Sequence, residues 1–264
     1  MRRHSIITAD DILRAVRVFR YVTRFILILF FGGGAKRIKV LEKMLPTLEG
    51  EGRILFEWHK GEKVYSIPRK GRGKPVSMDH EVVCALILVL LWRCRMGEDC
   101  EVVQERAFRG FGIVPEGGIR YSKERNTMLV LEYCTRSNFK HGGVMKSKIT
   151  RYIKYLPQME AKFGRRITVL FVLEIERNQV KEFARRMGHL FSEANSSGFD
   201  GLWEREAGSD AVGVPTAFDG GDRFPLDPFF WTDFQTLRSV SGNLLKAKIY
   251  FWSDGNEWSL SDND

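Results

Sequence analysis

The sequence predicts an α/β protein in two parts: a small, helical, strongly basic N-terminal domain ending in a β-hairpin, then a larger layer of strands and helices with a mixed sheet. Three observations carry this reading. Apolar residues recur at helical spacing up to about residue 48, after which the pattern changes to that of two short strands around a turn. Farther on, the apolar runs 128–133 and 167–173 are separated by a helix-length amphipathic stretch, the layout of a parallel crossover. Charge is unevenly divided, with +10 over residues 1–75, +7 over 76–192 and −8 over 193–264.

In the N-terminal part, Thr8 is placed to cap a helix over residues 9–21, with Asp10 and Asp11 where the helix dipole favours negative charge. Ile12, Leu13, Val16 and Phe19 form its apolar stripe. Thr23 caps a second helix, 24–31, and Gly32-Gly33-Gly34 supplies the turn after it. In a third helix Ile38, Leu41, Leu45 and Leu48 step by three or four, with Lys36, Arg37, Lys39 and Lys43 on the other faces. Pro46 is expected to kink this helix or stop it. Residues 53–58 and 63–67 are then strands joined through His59-Lys60-Gly61-Glu62. Three helices followed by a hairpin are the order of a winged helix. In that arrangement the third helix enters the major groove, and the hairpin reaches the flanking backbone. The residues expected to contact DNA are Arg24, Lys36, Arg37, Lys39, Lys43, Lys60 and Lys63.

The domain boundaries are drawn as 1–68 for the winged helix, 69–77 for a basic linker, 78–191 for the α/β domain and 192–264 for an acidic extension partly packed on it. Residues 78–95 read as a helix apolar on every side, which needs a sheet or a second copy of the chain to cover it; a homodimer is the resulting expectation. Strands are expected at 100–104, 118–121, 128–133 and 167–173, and helices at 144–162 and 178–191. Order resumes at 228–232 and 248–252 after a glycine- and acid-rich stretch, and the last six residues read as frayed.

No apolar run approaches the roughly 20 residues that cross a bilayer, and the N-terminus lacks a secretory pattern, so a cytoplasmic location is expected. The four cysteines have no CxxC spacing, and the five histidines are scattered, so neither type is expected to ligate metal. There is no GxxxxGK[ST] loop for a nucleotide cofactor and no Gly-x-Ser-x-Gly elbow.

One constellation bears on catalysis. Pro115-Glu116-Gly117 enters one strand and Glu132 ends another, the placement of the two acids by which PD-(D/E)xK nucleases bind Mg²⁺ and activate water. The position of the nuclease lysine holds Cys134. Lys146 or Lys148 on the following helix would have to supply the cation, and Glu105 is a candidate third carboxylate. The order of winged helix, basic linker, apolar helix with His80 near its start, Pro-acid-Gly entry, strand ending in Glu132-Tyr133 and helix with Lys148 and Tyr152 resembles the replication-relaxation family, over residues 8–190. The family pattern at the strand entry is Pro-Asp-Gly, so Glu116 departs from it and weakens metal geometry. The resemblance implies a DNA-binding protein with a nuclease-like second domain, serving replication or mobilisation of a plasmid or integrative element. Three functions follow in order of preference: a sequence- or structure-specific duplex DNA-binding protein, a Mg²⁺-dependent endonuclease using Glu116 and Glu132 as metal ligands, and a protein-interaction scaffold.

Overall fold

The structure is a computed structural model. It describes residues 7–68, 75, 77–94, 100–121, 127–140, 143–194, 229–240, 244, 247–251 and 256–259. The basic linker at 69–74, most of the acidic extension and the closing residues 260–264 lie outside the described residues. The chain divides into two compact units, one of residues 1–107 and 116–123, the other of 108–115 and 124–264. The architecture is α/β.

In the first unit, α1 (Ala9–Phe19) opens on a reciprocal cap. Thr8 Oγ1 accepts from the Asp11 amide at 3.2 Å, and the Asp11 carboxylate accepts from the Thr8 amide at 3.0 Å, which satisfies two otherwise orphaned donors. Ile12, Ala15, Val16 and Phe19 form the buried stripe. A two-residue strand β1 (Val22–Thr23) precedes α2 (Arg24–Phe31), whose N-cap is Thr23 and whose C-cap is Gly32 in the left-handed region at φ 75°. Helix α3 (Ala35–Gly50) runs through Pro46, where a kink or stop was expected. Pro46 is exposed, and the helix resumes its ladder at once, with the Glu51 amide donating to Thr47 at 3.0 Å; the ring removes one backbone bond without ending the element.

Strands β2 (Leu55–His59) and β3 (Glu62–Ser66) form a hairpin with His59 opposite Glu62, so the loop is the two residues Lys60 and Gly61. Both have positive φ, 48° and 80°, as a type I′ turn requires. β1 pairs antiparallel with β3, completing a sheet in the order β1-β3-β2. Two residues are too few to show a period, which is why sequence reading missed β1.

Helix α4 (Met78–Cys94), expected to open the second domain, belongs to the first unit. It packs on α2, with Trp92 against Phe30 at 4.5 Å between ring centroids, and on β1, β4 (Glu101–Gln104) and β5 (Gly117–Arg120). Cys84 to Val89 and Leu91 are buried. Residues 84–89 and 91 of α4 are thus covered within its own unit.

The second unit has β6 (Thr127–Cys134), α5 (Arg136–Lys140), α6 (Gly143–Phe163), β7 (Arg166–Leu173), α7 (Arg177–Ala194), β8 (Phe229–Asp233), α8 (Phe234–Ser239), β9 (Tyr250–Phe251) and β10 (Glu257–Trp258). Its strands run in the order β10-β9-β8-β7-β6. β6, β7 and β8 are parallel in register, whereas β9 and β10 join antiparallel, so the sheet is mixed. Residues 128–134 and 167–173 are buried without alternation, the pattern of parallel strands covered on both faces. Phe171 stacks on Trp231 at 4.3 Å, and Tyr152 of α6 meets Phe171 edge-on. Helix α6 turns Met145, Ile149, Tyr152 and Leu156 inward, which fixes the direction of every other side chain on it.

Candidate functional site

Three groups of polar residues stand out, two in the first unit and one in the second. The first is the outward face of α3. With 100° per residue, Lys36, Lys39 and Lys43 fall within roughly 60° of one another, opposite the buried Leu41, Leu45 and Leu48. All three lysines are exposed, and among the described residues none has a carboxylate in ion-pair reach. Arg37 differs from them. Its guanidinium donates to the carbonyls of Phe31 at 2.6 Å and Gly32 at 3.0 Å, so it closes the C-terminal end of α2.

The remaining cations expected at DNA are engaged within the unit. Arg24 donates to Glu42, and Lys63 binds Glu49 at 2.8 Å while lying over the Phe56 ring. Lys60, at the tip of the hairpin, is 2.7 Å from Asp79, which also accepts from His59 at 2.6 Å. Hydrogen bonds from Lys60 first and His59 second hold the Asp79 carboxyl below its ordinary range. Beside them the outer strand β2 exposes Leu55, Phe56 and Trp58, the last at 68%.

The second group lies where α4 meets β4 and β5. Arg20 of the first unit donates to Glu81 at 3.1 Å and pairs with Glu105. His80 Nε2 is 3.2 Å from Glu116, and His80 Nδ1 is 3.8 Å from the Cys84 sulfur. Glu116 is held by the turn that follows it: Gly117 has φ 151°, and a Cβ there would come within 3.1 Å of the Val103 carbonyl. Burial raises the pKa of Glu81, opposed by Arg20 and reinforced by Glu116. Cys84 is 5% exposed.

The third group is in the second unit. Glu132, 2% exposed, accepts from the Tyr152 hydroxyl at 2.7 Å through Oε1 and pairs with Lys148 through Oε2. Lys148 and Tyr152 are one turn apart on α6, on the side turned toward β6. Lys146 is exposed on a different face.

The five residues expected at a catalytic centre therefore have distinct settings. Glu105 and Glu116 belong to the first unit, where Arg20 and His80 engage them; Glu132 and Lys148 are joined in the second. Mg²⁺ requires hard oxygen ligands in a near-octahedral shell. The two oxygens of Glu132 receive a hydroxyl and an ammonium. Sequence reading did not anticipate Arg20, Glu81, His80 or Cys84. The four-residue interval from His80 to Cys84, one helical turn, was the signal available for the last two. Comparison of the chain with protein-family models, with curated proteins and with solved structures finds no match. Among the described residues no helix is long and apolar enough to cross a membrane.

Proposed function

We propose that the chain is a duplex DNA-binding protein in which residues 8–66 act as a winged helix, with α3 entering the major groove and the β2–β3 hairpin as the wing. The observation that carries this is the row of Lys36, Lys39 and Lys43, exposed and without acidic partners among the described residues on the face opposite the leucines. A folded surface ordinarily mixes its charges, and a helix face that concentrates one sign matches a polyanion. Trp58 on the hairpin adds an exposed aromatic side chain to the unit. The resemblance to the replication-relaxation family supports the further proposal that the protein serves replication or mobilisation of a plasmid or integrative element, in the cytoplasm.

The test is the triple charge reversal Lys36→Glu, Lys39→Glu, Lys43→Glu, assayed by gel shift over a salt series. Each phosphate contact contributes about 0.9 to the log–log salt slope. The expected result is loss of detectable duplex binding at salt where the parent binds, with unaltered circular dichroism. A folded variant that keeps the parent affinity and slope removes α3 from any such interface. One observation favours a rival, the endonuclease: Lys148 brings to Glu132 the lysine that β6 lacks at Cys134. Nicking of supercoiled DNA with Mg²⁺ or Mn²⁺, abolished by Glu132→Gln, would establish that rival.

A further inference from the structure

We propose that the first unit carries a site for a thiophilic divalent cation, Zn²⁺ above all, held by His80, Cys84 and Glu116. One ring nitrogen of His80, the Cys84 sulfur and a Glu116 oxygen all lie within 4.8 Å of one another. Around a tetrahedral Zn²⁺, bonds of about 2.0 Å to nitrogen and oxygen and 2.3 Å to sulfur put ligand atoms roughly 3.3–3.6 Å apart. The 3.2 Å between His80 Nε2 and Glu116 is already that spacing, and the Cys84 sulfur, 3.8 Å from the other ring nitrogen, has to turn toward the Glu116 side to close the set.

Three features make this more than a chance meeting of polar groups. First, two of the ligands sit one turn apart on α4, whose residues Cys84–Val89 and Leu91 are buried, and the third precedes a glycine whose backbone no other residue adopts without strain. The donors are thus on rigid supports. Second, the charge around them calls for a cation. Among the described residues, Glu81, Glu105 and Glu116 bring three carboxylates together with Arg20 as the guanidinium in ion-pair contact. Third, the chemistry of the donors selects the metal. A thiolate with imidazole and one carboxylate suits Zn²⁺ or Co²⁺, whereas Mg²⁺ and Ca²⁺ take oxygen alone. Three protein ligands leave a fourth position for water. The Cys84 thiol gives up its proton on binding, so about one proton leaves per ion at a pH below the thiol's own range. Arg20 through Glu81 and Glu105 forms the surrounding shell that orients the carboxylates.

The experiment uses the full chain, stripped with chelator and titrated with Co²⁺ as a spectroscopic probe. The expected result is one equivalent bound with a thiolate-to-cobalt charge-transfer band, release of a proton, and displacement by Zn²⁺ but not by Mg²⁺. Cys84→Ser is expected to remove the band. Glu116→Gln is expected to weaken Zn²⁺ by at least the about 10- to 100-fold that loss of a mere outer-shell partner costs. Absence of the band at stoichiometric Co²⁺, or its persistence in Cys84→Ser, overturns the proposal. Should Cys84→Ser fail to fold, the milder Glu116→Gln decides, and unchanged Zn²⁺ affinity there overturns the site. No nucleic acid enters the assay, so its outcome is separate from the DNA-binding reading.

Discussion

Two lysine environments in this molecule are opposite in kind. On α3, Lys36, Lys39 and Lys43 project into solvent from a face without acids among the described residues. On α6, Lys148 is turned inward onto a carboxylate that is 2% exposed and held from the other side by Tyr152. The first arrangement leaves cationic charge available to a partner. The second spends it within the fold, where a half-buried ammonium compensates a carboxylate removed from water. A count of basic residues gives both the same weight. What separates them is the position of each lysine relative to the apolar stripe of its helix, which decides whether its charge faces water or an acid.

The largest effect that tests this contrast is on stability, in the second unit. Lys148→Met removes an ammonium from the buried Glu132 carboxylate and is expected to destabilise by about 3–5 kcal/mol, read by urea unfolding. Adding Glu132→Gln to it should recover much of the loss, because the buried charge is gone while the Tyr152 hydroxyl keeps an acceptor. A loss under 1 kcal/mol in Lys148→Met would mean that the pair is open to water. Duplex affinity of the double variant, where it folds, is expected to stay at the parent value.

An intermediate effect sharpens the contrast within α3 itself. Arg37→Gln removes two hydrogen bonds to the last carbonyls of α2, and a charged donor bond is worth about 1.5–3 kcal/mol. Because Arg37 is partly exposed, about 1–2 kcal/mol is expected. Lys39→Gln should leave stability within about 0.5 kcal/mol, the ordinary range for a surface change. The reverse order in thermal melts would mean that Arg37 projects outward like its neighbours.

The smallest expected effect is pH-dependent. Burial pushes the Glu160 carboxyl above its ordinary range, although it accepts the Ile167 amide at 2.8 Å. An acid whose pKa is raised on folding binds its proton more tightly when folded. Its cost is therefore absent below the unfolded value and fully present above the folded one. Glu160→Gln is accordingly expected to be neutral or slightly stabilising at pH 7, with the advantage vanishing below about pH 4 in paired urea titrations. A growing advantage on acidification would reverse the assigned sign.

Much of the fold could be read from periodicity. The three N-terminal helices, the hairpin at Lys60-Gly61 and the parallel strands flanking α6 are local patterns of caps, turns and apolar spacing. Less legible was anything decided by distant residues. The linker composition at 69–75 suggested a boundary there, yet α4 is claimed by α2 and β1 through Phe30 and Val22, and no local feature of residues 78–94 records that. Both Lys146 and Lys148 were reasonable cations for Glu132. Their positions on α6 separate them once Met145, Ile149 and Tyr152 are known to point inward. Arg37 looked like one more basic residue of the third helix, because its acceptors are backbone atoms and leave no trace in side-chain identity.

The position of α4 also governs the order in which the first unit is completed during synthesis. Val22, Leu27 and Phe30 are enclosed in a unit that includes α4, and that unit further takes in residues 116–123. The hairpin and its three helices thus emerge from the ribosome well before their cover does. Until the segment 116–123 has been delivered, that unit is incomplete, and chaperone binding or aggregation at that stage competes with folding. A fragment cut at residue 68 is held permanently in that condition. The strand from 117 to 120 is the last described element to join that unit.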